Sequence, residues 1–188
     1  LKDGSRKILE LHTSKFAPVR MYPVRSKLKR QFGHLRVAIQ ERVAARYDRF
    51  VILTHEEKPF WKGFSNLSVI PNPLSFKSQK RADASAHRVM IAGRMEYVKN
   101  FPELLQIWAR VAPGFSDWQL HIYGDGWMLD ALRDKADMLG IASQVIFEGA
   151  VSDMETAYAS SSIYVMTSHF EGLPMVLIEA QSVGLPAV

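Results

Sequence analysis

The sequence predicts an α/β protein in which parallel β-sheets carry helices on both faces, arranged as two domains. In the second half of the 188 residues, short β-branched and aromatic runs alternate with stretches of helical length, the order that generates parallel β-α units. The two halves also differ in charge. Residues 1–80 hold 17 Lys and Arg against 6 Asp and Glu, whereas residues 81–188 hold 7 against 13. So unequal a distribution indicates two different domains.

The domain boundary is predicted at residue 74, where the proline-rich PNPL sequence of residues 71–74 ends the first half. Residues 1–74 are interpreted as the rear part of an N-terminal domain, residues 75–86 as a polar linker, and residues 87–188 as a second domain. The chain begins with Leu and ends on a nascent strand at residues 187–188. We therefore expect a piece of a longer protein, with both domains incomplete.

The composition excludes several kinds of site. The chain has no cysteine, which rules out disulfides, thiolate metal sites and cysteine nucleophiles, and favours a reducing, cytoplasmic compartment. No apolar run approaches the roughly 20 residues of a membrane helix, and no signal peptide is recognisable. No His, Asp and Glu pattern has metal-ligand spacing, and no Walker-type loop or nucleophile elbow is present. We expect neither a metal nor another cofactor.

The first half is predicted to contain three strands and one main helix. The strands are residues 8–12, 50–54 and 67–70, with a short helix or turn at 55–61. The first strand ends on His12, a position that often lies in a cleft. The helix is predicted over residues 35–47, with Leu35, Ile39, Val43 and either Ala44 or Tyr47 on its apolar face.

A basic stretch precedes that helix, because no acidic residue occurs between Leu11 and Gln40. Its cations alternate with apolar side chains, which favours peripheral contact with an anionic membrane at its inner face through Lys15–Arg36. Nucleic acid is not expected, since no recognition helix or RNA-binding signature accompanies the stretch. A solvated loop remains an alternative. The cations are Lys15, Arg20, Arg25, Lys27, Lys29, Arg30 and Arg36.

The second half is predicted as a regular series of β-α units. The elements are strands 88–92, 119–123, 145–147 and 163–166, and helices 102–111, 128–139, 154–159 and a last one carrying Glu179. Asn100 is expected to cap the first of these helices, and Gly140 to end the second. Ligands of such sheets bind beyond the carboxyl ends of the strands.

Two loops at predicted strand ends contain possible binding groups. Gly93 permits a tight exit from strand 88–92, and Arg94 and Lys99 then place two cations in one loop, which suggests an anion site, although they could be ordinary surface charges. The loop after strand 119–123 contains Gly124-Asp125-Gly126. A dinucleotide fingerprint would require a third glycine where Leu129 stands, so a tight βα turn is favoured.

The last 27 residues hold two carboxylates on either side of a helix start. Pro174 is predicted as the first helical residue, with Glu171 before it and Glu179 inside an apolar helix. Such a terminus offers free N–H groups and positive dipole charge to a phosphate. A carboxylate inside an apolar helix also needs a polar partner. The alternative is a surface turn followed by a solvent-facing glutamate.

Four ordered segments together resemble the family 4 (group 1) retaining glycosyltransferases of the GT-B fold, which consists of two Rossmann-like domains with parallel sheets. The segments are IAGRMEYVKNF (91–101), QLHIYGDG (119–126), VIFEGAV (145–151) and YASSSIYVMTSHFEGLPMVLIEAQSVGLPAV (158–188). The last contains the family's E-x7-E motif, with Glu171 and Glu179 in its two positions. Residues 7–74 are similar, more weakly, to the back part of the family's N-terminal domain.

The resemblance implies a metal-independent enzyme that moves a hexose-type sugar from a nucleotide diphosphate donor, most often a UDP-sugar, to a lipid-linked or polysaccharide acceptor in the synthesis of cell-surface glycans such as lipopolysaccharide. Arg94 and Lys99 would neutralise the leaving diphosphate. Glu179 would accept the ribose hydroxyls, and Glu171 would contact the donor sugar and the positive charge developing at its anomeric carbon. His12 matches the family's acceptor-side histidine.

The implied catalytic set is Glu171, Arg94, Lys99 and His12. The implied donor-binding set is Gly93, Arg94, Lys99, Glu148, Val151, Glu171, Gly172, Leu173 and Glu179, in which backbone N–H groups at Gly172 and Leu173 would bind phosphate and the region of Glu148 and Val151 would hold the base. Two alternatives remain. One is a GT-B-like sugar-nucleotide epimerase or phosphorylase, and the other a non-catalytic nucleotide-binding domain.

Overall fold

The computed structural model describes residues 3–20 and 27–188 and divides the chain into two compact units. The first unit is Leu1–Pro73 with Phe170–Leu173, and the second is Leu74–His169 with Pro174–Val188. The division thus falls one residue before the predicted end of the first domain.

The first unit contains a parallel three-stranded sheet in the order β1-β2-β3. Its strands are β1 (Ile8–Leu11), β2 (Arg49–Ile52) and β3 (Leu67–Val69). Two helices lie between β1 and β2, the short α1 (Ala17–Arg20) and the long α2 (Lys27–Ala44). Phe50 and Ile52 of β2 pack with Trp61 and Ala44 in the core of this unit. All three strands lie close to their predicted positions, but α1 was not predicted.

Helix α2 begins eight residues earlier than predicted and turns a different face to the core. Leu35, Ile39 and Val43 of the predicted apolar face are exposed. Ala44, one of two residues predicted to complete that face, is buried, and it shares the buried side with Gly33 and Val37. Small residues lie on the buried side because the helix approaches neighbouring backbone closely. A Cβ at Gly33 would lie 2.7 Å from the carbonyl oxygen of Pro18.

The prediction that the stretch Lys15–Arg36 contacts a membrane is wrong for Lys15. Its side chain is only 8% exposed, and its ammonium pairs with the Glu41 carboxylate, donates to the carbonyl of Phe60 and lies 4.5 Å from the ring centroid of Trp61. A buried, paired cation cannot reach a lipid headgroup. Arg25 and the apolar residues Met21 and Tyr22 of the same stretch lie outside the described residues, as do the side chains of Arg20 and Lys27.

The second unit contains a parallel four-stranded sheet in the order β6-β5-β4-β7. Strands β4 (Arg88–Ala92) and β5 (Gln119–Tyr123) have their predicted bounds, β6 (Val145–Gly149) is two residues longer, and β7 (Ile163–Tyr164) two residues shorter. Tyr164 also forms a parallel bridge with Ala187, where the next strand was expected.

Helices cover both faces of this sheet, as predicted. The helices are α3 (Phe101–Val111), α4 (Leu129–Met138), α5 (Met154–Ala159) and α6 (Met175–Ser182). Helices α3 and α4 pack on the face that presents Ile91 and Ile122, whereas α5 and α6 pack on the face that presents Met90 and Tyr123. Successive residues of a strand point to opposite faces, so the apolar runs of β4 and β5 fill two cores at once.

Two local predictions in the second unit need correction. Asn100 precedes α3, but its side chain makes no capping bond. It adopts a left-handed conformation, and its carbonyl accepts the N–H of Glu103 instead. Residues 75–86, predicted as a linker, form hydrogen bonds to the rest of the second unit and belong to it. The N–H of Ala82 donates to the carbonyl of Val183, and the Ser78 hydroxyl donates to Glu155.

Candidate functional site

The loop after β4 carries the two cations predicted to bind an anion. The Arg94 side chain is 80% exposed, and its guanidinium lies 3.1 Å from the Glu96 carboxylate. The Lys99 side chain runs along Gly93, where an added Cβ would lie 3.0 Å from the lysine Cε. Because β4 is a central strand and ends at this loop, both cations lie at the carboxyl edge of the sheet, where parallel α/β proteins bind ligands.

The Gly124-Asp125-Gly126 sequence supports that loop rather than forming a dinucleotide fingerprint. The carbonyl of Asp125 accepts the N–H of Met95 at 2.7 Å. Gly124 has φ of +119°, and an added Cβ would lie 2.2 Å from the carbonyl oxygen of Gly93. Two strand-end loops thus pack backbone against backbone, and only glycine fits at their contact. The favoured interpretation of a tight βα turn agrees with this geometry.

The same loop is bonded on its other side by the segment that follows β7. The hydroxyl of Thr167 donates to the carbonyl of Lys99 at 3.1 Å, and the N–H of His169 donates to the carbonyl of Val98 at 2.8 Å. The His169 ring also lies 4.7 Å from that of Tyr97, between centroids. The loop between β4 and α3 is therefore fixed from two directions.

Glu179 lies in α6 with both carboxylate oxygens hydrogen-bonded. Tyr158 of α5 donates its hydroxyl to Oε2 at 2.8 Å, and Ser75 donates its hydroxyl to Oε1. The polar partners expected for a carboxylate in an apolar helix are therefore present, but sequence reasoning did not identify them. Tyr158 carried a usable signal, because a buried tyrosine usually directs its hydroxyl to an acceptor.

The start of α6 differs by one residue from the prediction. Pro174 is the extended N-cap residue, and the helix begins at Met175. The carbonyl of Pro174 accepts the N–H groups of Leu177 and Ile178. The first N–H groups of any helix have no acceptor within the helix, so this terminus retains the donors and dipole that favour an anion.

Glu148 directs its carboxylate to a buried histidine. His121 of β5 is 3% exposed, and its Nδ1 lies 2.6 Å from the Glu148 Oε1. Burial of the imidazole, with a smaller contribution from the charge of Arg88, lowers the pKa of His121, although Glu148 opposes this shift. The predicted contact of the Glu148 region with a base is therefore not expected to use this carboxylate. Val151, two residues beyond β6, is exposed.

The remaining predicted site residues belong to the first unit. His12 follows β1, is largely exposed, and lies 3.3 Å from the Glu10 carboxylate through its Nε2. Glu171, Gly172 and Leu173 form a short segment before α6 and are grouped with this unit. Gly172 lies close to the chain at His12. A Cβ there would be 2.8 Å from the His12 carbonyl oxygen and 3.1 Å from the Thr13 Cα.

Within residues 3–20 and 27–188, no group of three or more His, Asp or Glu side chains is placed to hold a metal ion. In the same residues, no helix has both the length and the apolar composition needed to cross a membrane.

Residues 86–188 match the family model described as "Glycosyl transferases group 1". The amylovoran biosynthesis glycosyltransferase AmsD of Erwinia amylovora is 35% identical over 151 residues, which cover 75% of this chain and 42% of AmsD. The lipopolysaccharide 1,6-galactosyltransferase of Salmonella typhimurium is 32% identical over 133 residues, which cover 65% of this chain and 36% of the relative. The chain spans about two fifths of the length of the curated relatives it matches.

The fold is similar to that of solved glycosyltransferases. The crystal structure of a point mutant of S. aureus TarM, in complex with Fondaparinux, α-GlcNAc-glycerol and UDP, superposes with a TM-score of 0.80 at 16% identity and covers 98% of this chain and 36% of TarM. The predicted fold class, a GT-B arrangement of parallel α/β units, is thereby confirmed.

Proposed function

Because this chain belongs to the group 1 glycosyltransferases, we propose that its protein transfers a hexose-type sugar from a nucleotide diphosphate donor, a UDP-sugar, to a lipid-linked or polysaccharide acceptor. Relatives of the chain carry names of glycosyltransferases for polysaccharide and lipopolysaccharide synthesis. The proposal includes retention of the anomeric configuration, independence of a metal ion, and a cytoplasmic site of action. The likeness to TarM, which was crystallised with UDP, supports uracil as the base.

One observation carries the proposal. The second unit holds Arg94 and Lys99 in a braced loop at the carboxyl end of β4, and the same unit presents Glu179 from α6 with its carboxylate hydrogen-bonded to two hydroxyls. A nucleoside diphosphate needs cations for its phosphates and a carboxylate for its ribose hydroxyls. The family's E-x7-E spacing supplies that carboxylate in Glu179 and a second one in Glu171.

In the proposed reaction, the bond between the anomeric carbon of the donor sugar and the β-phosphate oxygen breaks, and negative charge develops on the β-phosphate of the leaving nucleotide. An acceptor hydroxyl oxygen bonds to the anomeric carbon on the same face, and its proton passes to the leaving β-phosphate oxygen. Arg94, Lys99 and the N–H donors around Gly172 and Leu173 stabilise that charge, which is the largest requirement of the step. Glu171 contacts the donor sugar, and His12 acts near the acceptor. Backbone groups between Glu148 and Val151 hold the base, while the Glu148 side chain remains with His121.

The decisive experiment uses the intact protein with EDTA present. Calorimetry with UDP and GDP measures donor binding, and NMR of the product from a panel of UDP-sugars establishes the anomeric configuration. Glu179→Ala removes charge-assisted hydrogen bonds worth about 1.5–3 kcal/mol, so UDP affinity should fall roughly tenfold to a hundredfold. Arg94→Ala should also lower UDP affinity. Arg110→Ala, which replaces an arginine in the last turn of α3, is the matched control and should leave UDP affinity unchanged.

Three results would contradict this proposal. Loss of activity with chelator would contradict the proposed independence of a metal ion, and a product of inverted anomeric configuration would contradict the proposed retention. Unchanged UDP affinity in both Glu179→Ala and Arg94→Ala would show that these residues do not form the donor site. A requirement for inorganic phosphate as co-substrate would favour a phosphorylase, and nucleotide binding without any turnover of donor or acceptor would favour a non-catalytic domain.

We also propose that α2 attaches the protein to an anionic membrane. The proposed contact surface is one face of this helix and no longer the whole predicted stretch Lys15–Arg36. Apolar side chains recur on its outer side at the helical period, opposite the buried Val37 and Ala44. These exposed side chains are Leu28, Phe32, Leu35, Ile39 and Val43. Lys29, Arg36 and Arg42 lie along the edges of this stripe, and the helix's acidic residue, Glu41, is paired with Lys15.

This combination fits a helix that lies in the interface plane, with apolar side chains among the acyl chains and cations among anionic headgroups. Each cation near such a surface contributes about 1 kcal/mol. Co-sedimentation of the intact protein with phosphatidylglycerol vesicles tests the proposal. The double variant Phe32→Ser/Ile39→Ser should stay in solution, whereas Ile107→Ser, which changes an exposed apolar residue of α3, should bind normally. Equal binding by both variants, or none by the unmodified protein, would refute the membrane proposal.

A further inference from the structure

The two oxygens of the Glu179 carboxylate have different surroundings. Oε2 accepts a hydrogen bond from Tyr158, whose side chain is fully buried on α5 and packs against Phe76 and Tyr164. Oε1 accepts a hydrogen bond from Ser75, which is exposed. One oxygen is therefore tied to the core of the second unit, and the other is bonded to a hydroxyl at its surface.

Tyr158 is suited to a permanent donor role. Burial, and after it the hydrogen bond to Glu179, raises the pKa of Tyr158 far above its ordinary value, so the phenol keeps its proton at any physiological pH. The ring cannot easily turn away, because it is enclosed by the apolar residues that join α5, α6 and the sheet. A glutamate side chain is otherwise flexible, and fixing one of its oxygens before the ligand arrives lowers the entropic cost of binding.

We propose that Tyr158 is a positioning residue for donor binding, which holds Oε2 so that Oε1 faces the ribose of the nucleotide. The Ser75 hydroxyl occupies Oε1 in the absence of donor and is displaced by a ribose hydroxyl. This inference rests on the proposed role of Glu179 and deepens it, because it assigns different tasks to the two carboxylate oxygens. Tyr158 itself does not contact the donor.

The test compares UDP with 2′-deoxy-UDP in calorimetry of the intact protein. Tyr158→Phe keeps the ring and removes only the hydroxyl. It should weaken UDP binding about three- to tenfold and reduce the preference for UDP over 2′-deoxy-UDP, because a mobile carboxylate aligns poorly with the ribose. In steady-state transfer assays, the KM for the donor should rise by a similar factor while kcat changes little.

Tyr164→Phe is the matched control. It also removes the hydroxyl of a fully buried tyrosine in the same core, and that hydroxyl donates to a different acceptor, the carbonyl of Ala92, at 3.4 Å. A merely structural effect would appear in both variants. Full retention of the UDP preference in Tyr158→Phe, or an equal loss in Tyr164→Phe, would overturn the inference.

Two further variants distinguish a failure of this inference from a failure of the proposed role of Glu179. If Glu179→Gln leaves the UDP preference unchanged, then the proposed role of Glu179 is wrong. If Glu179→Gln abolishes the preference and Tyr158→Phe does not, only the positioning role fails. Ser75→Ala should bind UDP as tightly as the unmodified protein or more tightly, because it removes a competing hydroxyl, and weaker binding would overturn the displacement.

Discussion

Gly124→Ala should be far more destabilising than an ordinary glycine substitution, because two separate costs coincide there. Its φ of +119° is unfavourable for any residue with a Cβ, which costs on the order of 1–3 kcal/mol. The new methyl group would also lie 2.2 Å from the carbonyl oxygen of Gly93, where backbone rather than a flexible side chain must move. We expect a total loss of about 3–5 kcal/mol, at the upper end of what single substitutions cause.

Two other glycines of the second unit separate these costs. Gly140 has φ of +70° with nothing within 4 Å of an added Cβ, so Gly140→Ala measures the conformational cost alone, at about 1 kcal/mol. Gly114 has open space and no such φ, so Gly114→Ala should be neutral or slightly stabilising.

Thermal and urea unfolding of the three variants, followed by circular dichroism, measures the order of their stabilities. For a domain of about 100 residues, 1 kcal/mol corresponds to a shift in Tm of roughly 4–8 °C, so Gly124→Ala should unfold at least about 12 °C below the unmodified protein. If Gly124→Ala is no worse than Gly140→Ala, the backbone contact between the two loops does not exist in solution, and the bracing of Arg94 and Lys99 from that side is wrong.

Three further changes test other parts of the structure. Lowering the pH from about 7.5 to about 5 should reduce the free energy of unfolding, because the unfolded chain takes up a proton at His121 near the ordinary pKa of 6.5 while the folded chain resists it. In urea titrations His121→Gln should remove part of this pH dependence, and an unchanged pH dependence would contradict the lowered pKa of His121. Asp153→Ala should cost about 1 kcal/mol in thermal unfolding, since its carboxylate caps α5, and an unchanged Tm would contradict the cap. Lys15→Met should lower stability by about 2 kcal/mol and Lys62→Met, at an exposed lysine of the same unit, by less than about 0.5, and equal effects would show that the buried ion pair is not formed.

Sequence reasoning worked best where both faces of a strand are buried. Strands β4 and β5 have the bounds predicted for them because their apolar runs are continuous and flanked by glycine or polar residues. It failed in α2, because the strongest periodic signal there is the exposed stripe of Leu35, Ile39 and Val43. The true core side is marked only by Gly33, Val37 and Ala44, two of which are small residues with little hydropathy.

The candidate site was only partly accessible from the sequence. Motif spacing predicted Arg94, Lys99 and Glu179, because these positions follow strands or lie in the helix after one. It could not predict Ser75, since the hydrogen bond of Ser75 to Glu179 joins residues 104 positions apart and depends on the path of the whole unit. The buried state of Lys15 was hidden for the same reason, because Glu41 and Phe60 approach it only through folding. Tyr158, only 21 positions from Glu179, was overlooked although a buried tyrosine signals a nearby acceptor.

The hydrogen bonds on both sides of the loop from Gly93 to Asn100 have a consequence for the entropy of ligand binding. A flexible phosphate loop loses conformational entropy each time a ligand orders it, and that loss appears as an unfavourable entropy in calorimetry. Here Met95 and the carbonyls of Val98 and Lys99 are already held by neighbouring segments. The loss is therefore incurred once, when the protein folds, and the diphosphate of the proposed donor should bind with little entropic penalty from this loop.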